Sequence, residues 1–182
     1  MNCITTYTGY HIDPVSPETD KIQIEDIAHA LSLLCRGNGH VRTFWSVGQH
    51  CICCAKEAAA RGYSDRLILA CLLHDASECY MSDVPSPFKK HLPEYRMWED
   101  NLLSKIYQKF LGSDLSKEEA VQLKEIDKTL LAYDLSELLG EPFDGEMPKL
   151  HIELDYTFKP FDAVEHEYLE IFRQYSKRLG KL

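Results

Sequence analysis

Apolar residues recur at helical spacing from Ile24 onward. Ile24, Ile27, Ala28, Leu31, Leu34 and Cys35 form one stripe, closed by Gly37. RGNGHVRT, residues 36–43, follows as a loop. A second helix is predicted from about Thr43 to Arg61, with Phe44, Val47, Cys51, Cys54 and Ala58 inward and Gly62 at its end. Ser64 or Asp65 caps a third helix. This helix is apolar nearly all round from Leu67 to Leu73, which predicts a central, buried position. Two prolines in DVPSPFKK, residues 83–90, then break the pattern. Pro93 opens a fourth helix with Tyr95, Trp98, Leu102, Ile106 and Phe110 inward and Gly112 at its end. Ser116 and Glu119 form a capping box for a fifth, reaching Leu139 and stopped by Gly140 and Pro142.

Residues 141–159 read as irregular, with a short strand around His151–Leu154. A last helix from about Pro160 carries Val164, Tyr168, Ile171, Phe172 and Tyr175. At the other end, Gly9 sits between β-prone runs in ITTYTGYHID, residues 4–13, a pattern for a short N-terminal β-hairpin. The fold class expected is all-α, a bundle of about six helices. One domain is expected over 1–182, with its core at about 24–140 and the C-terminal helix, about 160–179, packed on it.

Composition narrows the function classes. The 45% hydrophobic and 27% charged content suits an ordinary globular protein. No apolar run approaches the roughly 18 residues of a membrane span. The first residues lack a basic stretch followed by an apolar core, so a cytoplasmic protein without a membrane partner is expected. A net charge of −9 argues against a nucleic-acid polymer as partner. A small phosphorylated substrate would need local positive charge, which a divalent cation supplies. The seven cysteines read as free thiols in a reducing compartment. The run CICC at 51–54 lacks a second cysteine pair at finger-like spacing. Cys51, Cys54 and Cys71 therefore read as small buried hydrophobes.

The candidate chemistry lies in polar residues on apolar faces. His74, Asp75 and Glu78 project from the end of the third helix, within one turn of each other. Asp127 lies inside the stripe Leu123, Leu130, Leu131 and Leu138, and Asp134 follows one heptad later. His50 borders the apolar stripe of the second helix. Unpartnered burial of such groups is costly, and a metal ion offsets the cost. The bland readings are a hydrogen-bonded core histidine at position 50, a pairing of Asp127 with Lys124, Lys128 or a buried arginine, and a structural Asp134. Two imidazoles and two carboxylates on three helices would suit one divalent transition metal: manganese, cobalt, iron, nickel or zinc, with magnesium a further option.

The pattern His50, His74–Asp75, Asp127 resembles the HD-domain metal-dependent phosphohydrolase superfamily. HDASE at 74–78 and DVPSPFKK at 83–90 are similar to bacterial and phage HD-domain 5′-deoxynucleotidases. IEDIAHALSLLCRGNGHVRTFWSVGQH, residues 24–50, resembles a phage- and prophage-associated branch of these proteins. The likeness spans about residues 4–140. It implies an HD-domain helical bundle, metal binding by His50, His74, Asp75 and Asp127, and hydrolysis of nucleoside 5′-monophosphates. Glu78 would hold or activate the attacking water, and Asp83 would protonate the leaving oxygen or position the nucleotide. Arg36 would clamp the phosphate. Ser86 and Lys89 or Lys90 would lie near sugar or phosphate, and a homodimer is the family expectation.

The chain departs from that pattern after Arg36. Gly37 and Asn38 follow, where these nucleotidases commonly carry a tryptophan against the ribose 2′-hydroxyl. Trp45, Tyr80 and Phe88 are the alternatives for that role. His40 and Arg42 add positive charge to the same loop, which keeps a deoxynucleoside triphosphate substrate open. A non-catalytic nucleotide-binding module with a structural metal is the reading from another class.

Overall fold

The run Leu67–Leu73 does take the centre of the molecule, with every one of its side chains buried. A computed structural model describes residues 3–181 of the chain. It contains β1 (Ile4–Thr5) and β2 (His11–Ile12), then α1 (Ile24–Leu33), α2 (Val47–Ala60) and α3 (Asp65–Leu73). Two single-turn helices follow, α4 (Glu78–Met81) and α5 (Ser86–Lys89). The long helices α6 (Pro93–Leu111), α7 (Lys117–Asp134) and α8 (Phe161–Arg178) complete the fold. The architecture is an all-α bundle with a small antiparallel hairpin, in which Ile4 pairs with Ile12 and Thr5 with His11. None of the described helices is long and apolar enough to cross a membrane.

Helix α3 packs against α2, α6, α7 and α8, so its all-round apolar surface meets protein on every side. Tyr168 of α8 donates its hydroxyl to the Leu72 carbonyl at 2.7 Å, pairing the one polar atom it brings into that core. The close α1–α2 approach depends on Gly48. A Cβ there would lie 3.2 Å from the Leu31 backbone.

Several expected boundaries move. Helix α2 starts at Val47, not Thr43, because Ser46 and Gln49 close a capping box. Thr43 and Phe44 consequently stay in the loop, and Phe44 is only half-buried. The third helix stops at Leu73. Residues 74–77 form tighter turns, with Ala76 N bonded to Leu73 O and Glu78 N to Asp75 O, before α4 begins. The fifth expected helix does reach Leu139, but its last stretch, Leu135–Leu139, widens into a π turn. Residues 151–154 form no strand. Instead, the buried Glu57 carboxylate accepts from His151 N at 2.9 Å and faces its ring Nδ1 at 2.8 Å, fixing this segment to α2. Tyr95 and Trp98 are half-buried, since the α6 core face is Leu102, Ile106, Tyr107 and Leu111.

Candidate metal centre

His50 is fully buried in the first turns of α2. Its Nδ1 lies 3.0 Å from Asp134 Oδ2, and its Nε2 lies 3.2 Å from Asp127 Oδ1. Asp127 and Asp134 are seven residues apart on α7, two turns along one face, which lets both meet the same ring. Asp134 Oδ1 also accepts from the Tyr156 hydroxyl at 3.0 Å. A carboxylate at Nδ1 favours the proton there and turns a lone pair at Nε2 inward.

His74 is held in the same sense. Its Nδ1 lies 2.8 Å from the Cys71 carbonyl, which can only accept, so that nitrogen donates. Its buried Nε2 has no hydrogen-bond partner among the described residues. It faces Asp75 Oδ2 at 3.2 Å and Asp127 Oδ1 at 3.7 Å. The two imidazole centroids are 5.3 Å apart. Thus the four expected ligands converge, although they come from α2, the end of α3 and α7. Without a cation, burial opposes ionisation of Asp75, but the His74 charge holds its carboxyl down at about 2. Burial opposes ionisation of Asp127 too, but the neighbouring His50 and His74 rings hold its carboxyl well below the usual carboxylate range.

Two cysteines also belong to this neighbourhood. Ligand atoms of His50, Cys54 and His74 fall within 4.8 Å of one another, as do those of Cys51, His74 and Asp75. The position of Cys54, four residues after His50 on one helix face, was the sequence signal for that contact. Burial pushes both thiols up, Cys54 well above the ordinary value, which leaves the nitrogen and carboxylate atoms as the ready donors.

Arg36 reaches the same centre from the loop after α1. Its Nε is 3.3 Å from Asp134 Oδ2 and its Nη1 3.6 Å from Asp75 Oδ2. Burial acts against the charge, but Asp134 and Asp75 outweigh it and keep the guanidinium protonated. The left-handed turn at Gly37 (φ 59°) and Asn38 (φ 51°) redirects the chain immediately after this arginine. Two glycines and an asparagine mark that turn in the sequence.

Arg36 and Asp134 open onto a cavity of about 490 Å³, walled also by Asp83, Ser86, Leu131 and Leu138. Leu131, expected in the core stripe, is 38% exposed because it faces this cavity. Burial pushes the Asp83 carboxyl up, against the pull of Arg36. Glu78 is raised further, by burial and by the charges of Asp75 and Asp83. Its buried Oε2 has no partner among the described residues, and its Oε1 lies 3.8 Å from Lys89 Nζ.

Other expected residues lie elsewhere. His40 and Arg42 are exposed and do not line the cavity. The Arg42 guanidinium lies over Gly140, where a Cβ would come within 1.9 Å of Nη2, and Arg42 N donates to Leu138 O at 2.8 Å. Trp45 is buried with its ring centroid 4.8 Å from that of Tyr156, Tyr80 is buried, and Phe88 is 60% exposed. None of the three lines the cavity.

No family model matches the chain. The uncharacterized protein YfdR of Escherichia coli strain K12 is 36% identical over 110 residues, 60% of this chain and 59% of YfdR. An uncharacterized protein of Rhodobacter capsulatus is 34% identical over 109 residues, 57% of this chain and 55% of that protein. The chain thus spans little more than half the length of these curated relatives, and neither description names an activity.

Proposed function

We propose that this chain is a divalent-metal-dependent phosphohydrolase of the HD-domain type, acting on nucleoside 5′-monophosphates and especially deoxynucleotides. One observation carries the reading. Both imidazoles are tied at Nδ1, and both turn Nε2 toward Asp127, the His74 nitrogen being buried without a hydrogen-bond partner among the described residues. This is how a metal-binding histidine is normally oriented. The ligands would be Nε2 of His50 and His74 and the carboxylates of Asp75 and Asp127. This mixed nitrogen and oxygen set suits manganese, iron, cobalt, nickel or zinc better than magnesium.

When bound, such a cation polarises a phosphoryl oxygen and lowers the pKa of a water. The chain's own residues would do the rest. Arg36 is charged and faces the cavity, so it clamps phosphoryl oxygens with paired N–H groups. Asp134 fixes both that guanidinium and the His50 ring. Asp83 lines the cavity with its carboxyl raised, which suits it to protonate the leaving 5′-oxygen. Glu78 positions the attacking water and takes part in its proton transfer. Ser86 lies toward the phosphate, and Leu131 and Leu138 offer an apolar wall to the nucleoside.

The test is a metal-supplemented screen of chelator-stripped protein against nucleotides that include dAMP and dATP. Free phosphate from dAMP supports the reading. Triphosphate from dATP would shift it to a triphosphohydrolase. A folded, metal-loaded chain that turns over no nucleotide would refute it.

A further inference from the structure

Two buried hydrogen-bond donors lie at a second pocket with no acceptor. Trp45 is 2% exposed and Gln49 3%, and both line a pocket of about 110 Å³. Trp45 Nε1 and Gln49 Nε2 have no hydrogen-bond partner among the described residues. The orientation of the Gln49 amide is fixed by its neighbour. Ser46 N can only donate, so the atom it meets at 3.1 Å is the amide oxygen, Oε1. The nitrogen end is left over. The indole offers one N–H and the amide two, and neither nitrogen can accept. Buried donors without partners are costly, so this wall calls for an oxygen acceptor.

Charge at the pocket points to the kind of acceptor. Lys56 and Lys159 line it, with Glu153, Asp155 and Glu167. Glu167 is paired with Lys56. Asp155 turns back on its own segment, accepting from Thr157 N at 3.0 Å and from the Thr157 hydroxyl at 2.6 Å. Glu153 is exposed, whereas Lys159 is half-buried and makes no ion pair among the described residues. The unneutralised charge nearest the interior is therefore a cation. The pocket shares no lining residue with the cavity that holds Arg36 and Asp83.

We propose that this pocket binds a compact oxyanion, a phosphate or carboxylate group, at a site separate from the candidate metal centre. Trp45 Nε1 and Gln49 Nε2 donate to its oxygens, and Lys159 offsets its charge. The volume admits a group of a few heavy atoms. The proposal does not depend on the phosphohydrolase reading.

NMR of the nitrogen-15-labelled, chelator-stripped full chain tests it. The chain has two tryptophans, so two indole N–H signals are expected, and Trp45→Phe identifies the one from Trp45. Titration with inorganic phosphate or acetate should move that signal and the Gln49 side-chain amide together, to saturation. The lower midpoint tells a phosphate site from a carboxylate site. Gln49→Glu keeps an acceptor for Ser46 N but replaces the donor with a negative charge. It should raise the midpoint about tenfold or more, as should Lys159→Glu. Arg36→Lys should leave the midpoint unchanged, which separates this site from the proposed phosphate clamp. An indole signal that neither anion moves, as ordered water in the pocket would give, would overturn the proposal. So would a midpoint unchanged in whichever of the Gln49 and Lys159 variants stays folded, or one that moves with Arg36→Lys instead.

Discussion

Asp134 Oδ2 lies 3.0 Å from His50 Nδ1. The same oxygen is 3.3 Å from Arg36 Nε, so one buried carboxylate orients a proposed ligand and a proposed phosphate clamp together. Asp134→Ala should keep the helical fold but weaken manganese binding roughly 10- to 100-fold. Equilibrium dialysis checks this, and unchanged affinity would show that the His50 ring needs no such support.

Asp75 and Glu78 should separate binding from chemistry. Asp75→Ala removes a proposed ligand and should abolish both metal retention and turnover. Glu78→Ala should retain the metal and lose most turnover, roughly 100-fold or more for a positioned proton-transfer group. Metal content and dAMP hydrolysis on the same samples decide the matter. A Glu78→Ala chain hydrolysing dAMP at the wild-type rate would remove Glu78 from the proposed chemistry.

Arg36→Lys should not be conservative. A lysine has no planar fork to address Asp134, Asp75 and a phosphate at once. Turnover per KM should fall about tenfold or more, with the helical circular dichroism signal retained. Near-normal kinetics would mean that charge alone suffices there.

Glu57 gives a pH prediction away from the centre. Burial works against its charge, but hydrogen bonds from His151 and Arg61 hold the carboxyl below its ordinary 4.5. The lowered value means stability is present above pH 4.5 and is lost as pH falls through the depressed value. Glu57→Gln should therefore destabilise the chain near neutrality by about 1–3 kcal/mol. The difference from wild type should shrink on acidification. Urea unfolding at several pH values measures this, and a difference constant down to low pH would contradict it.

The sequence made the helices legible because their apolar residues repeat at regular spacing and glycines or capping residues close them. It also marked Asp127, an acid inside a leucine stripe. Ser46 was harder to see as a helix start, since only its pairing with Gln49 distinguishes it from the loop before it. Leu131 misled because an apolar residue that lines a cavity looks the same in sequence as one in the core. Tyr156 left no signal at all. It reaches Asp134 from an irregular segment whose path depends on the Glu57–His151 contact.

Equilibrium dialysis of cobalt or manganese against the chelator-stripped chain counts the ions held between His50, His74, Asp75 and Asp127. One tightly held ion per chain is expected, lost in His50→Ala and in Asp127→Ala while both variants stay helical. No bound ion in the wild type, or full binding in both folded variants, would contradict it.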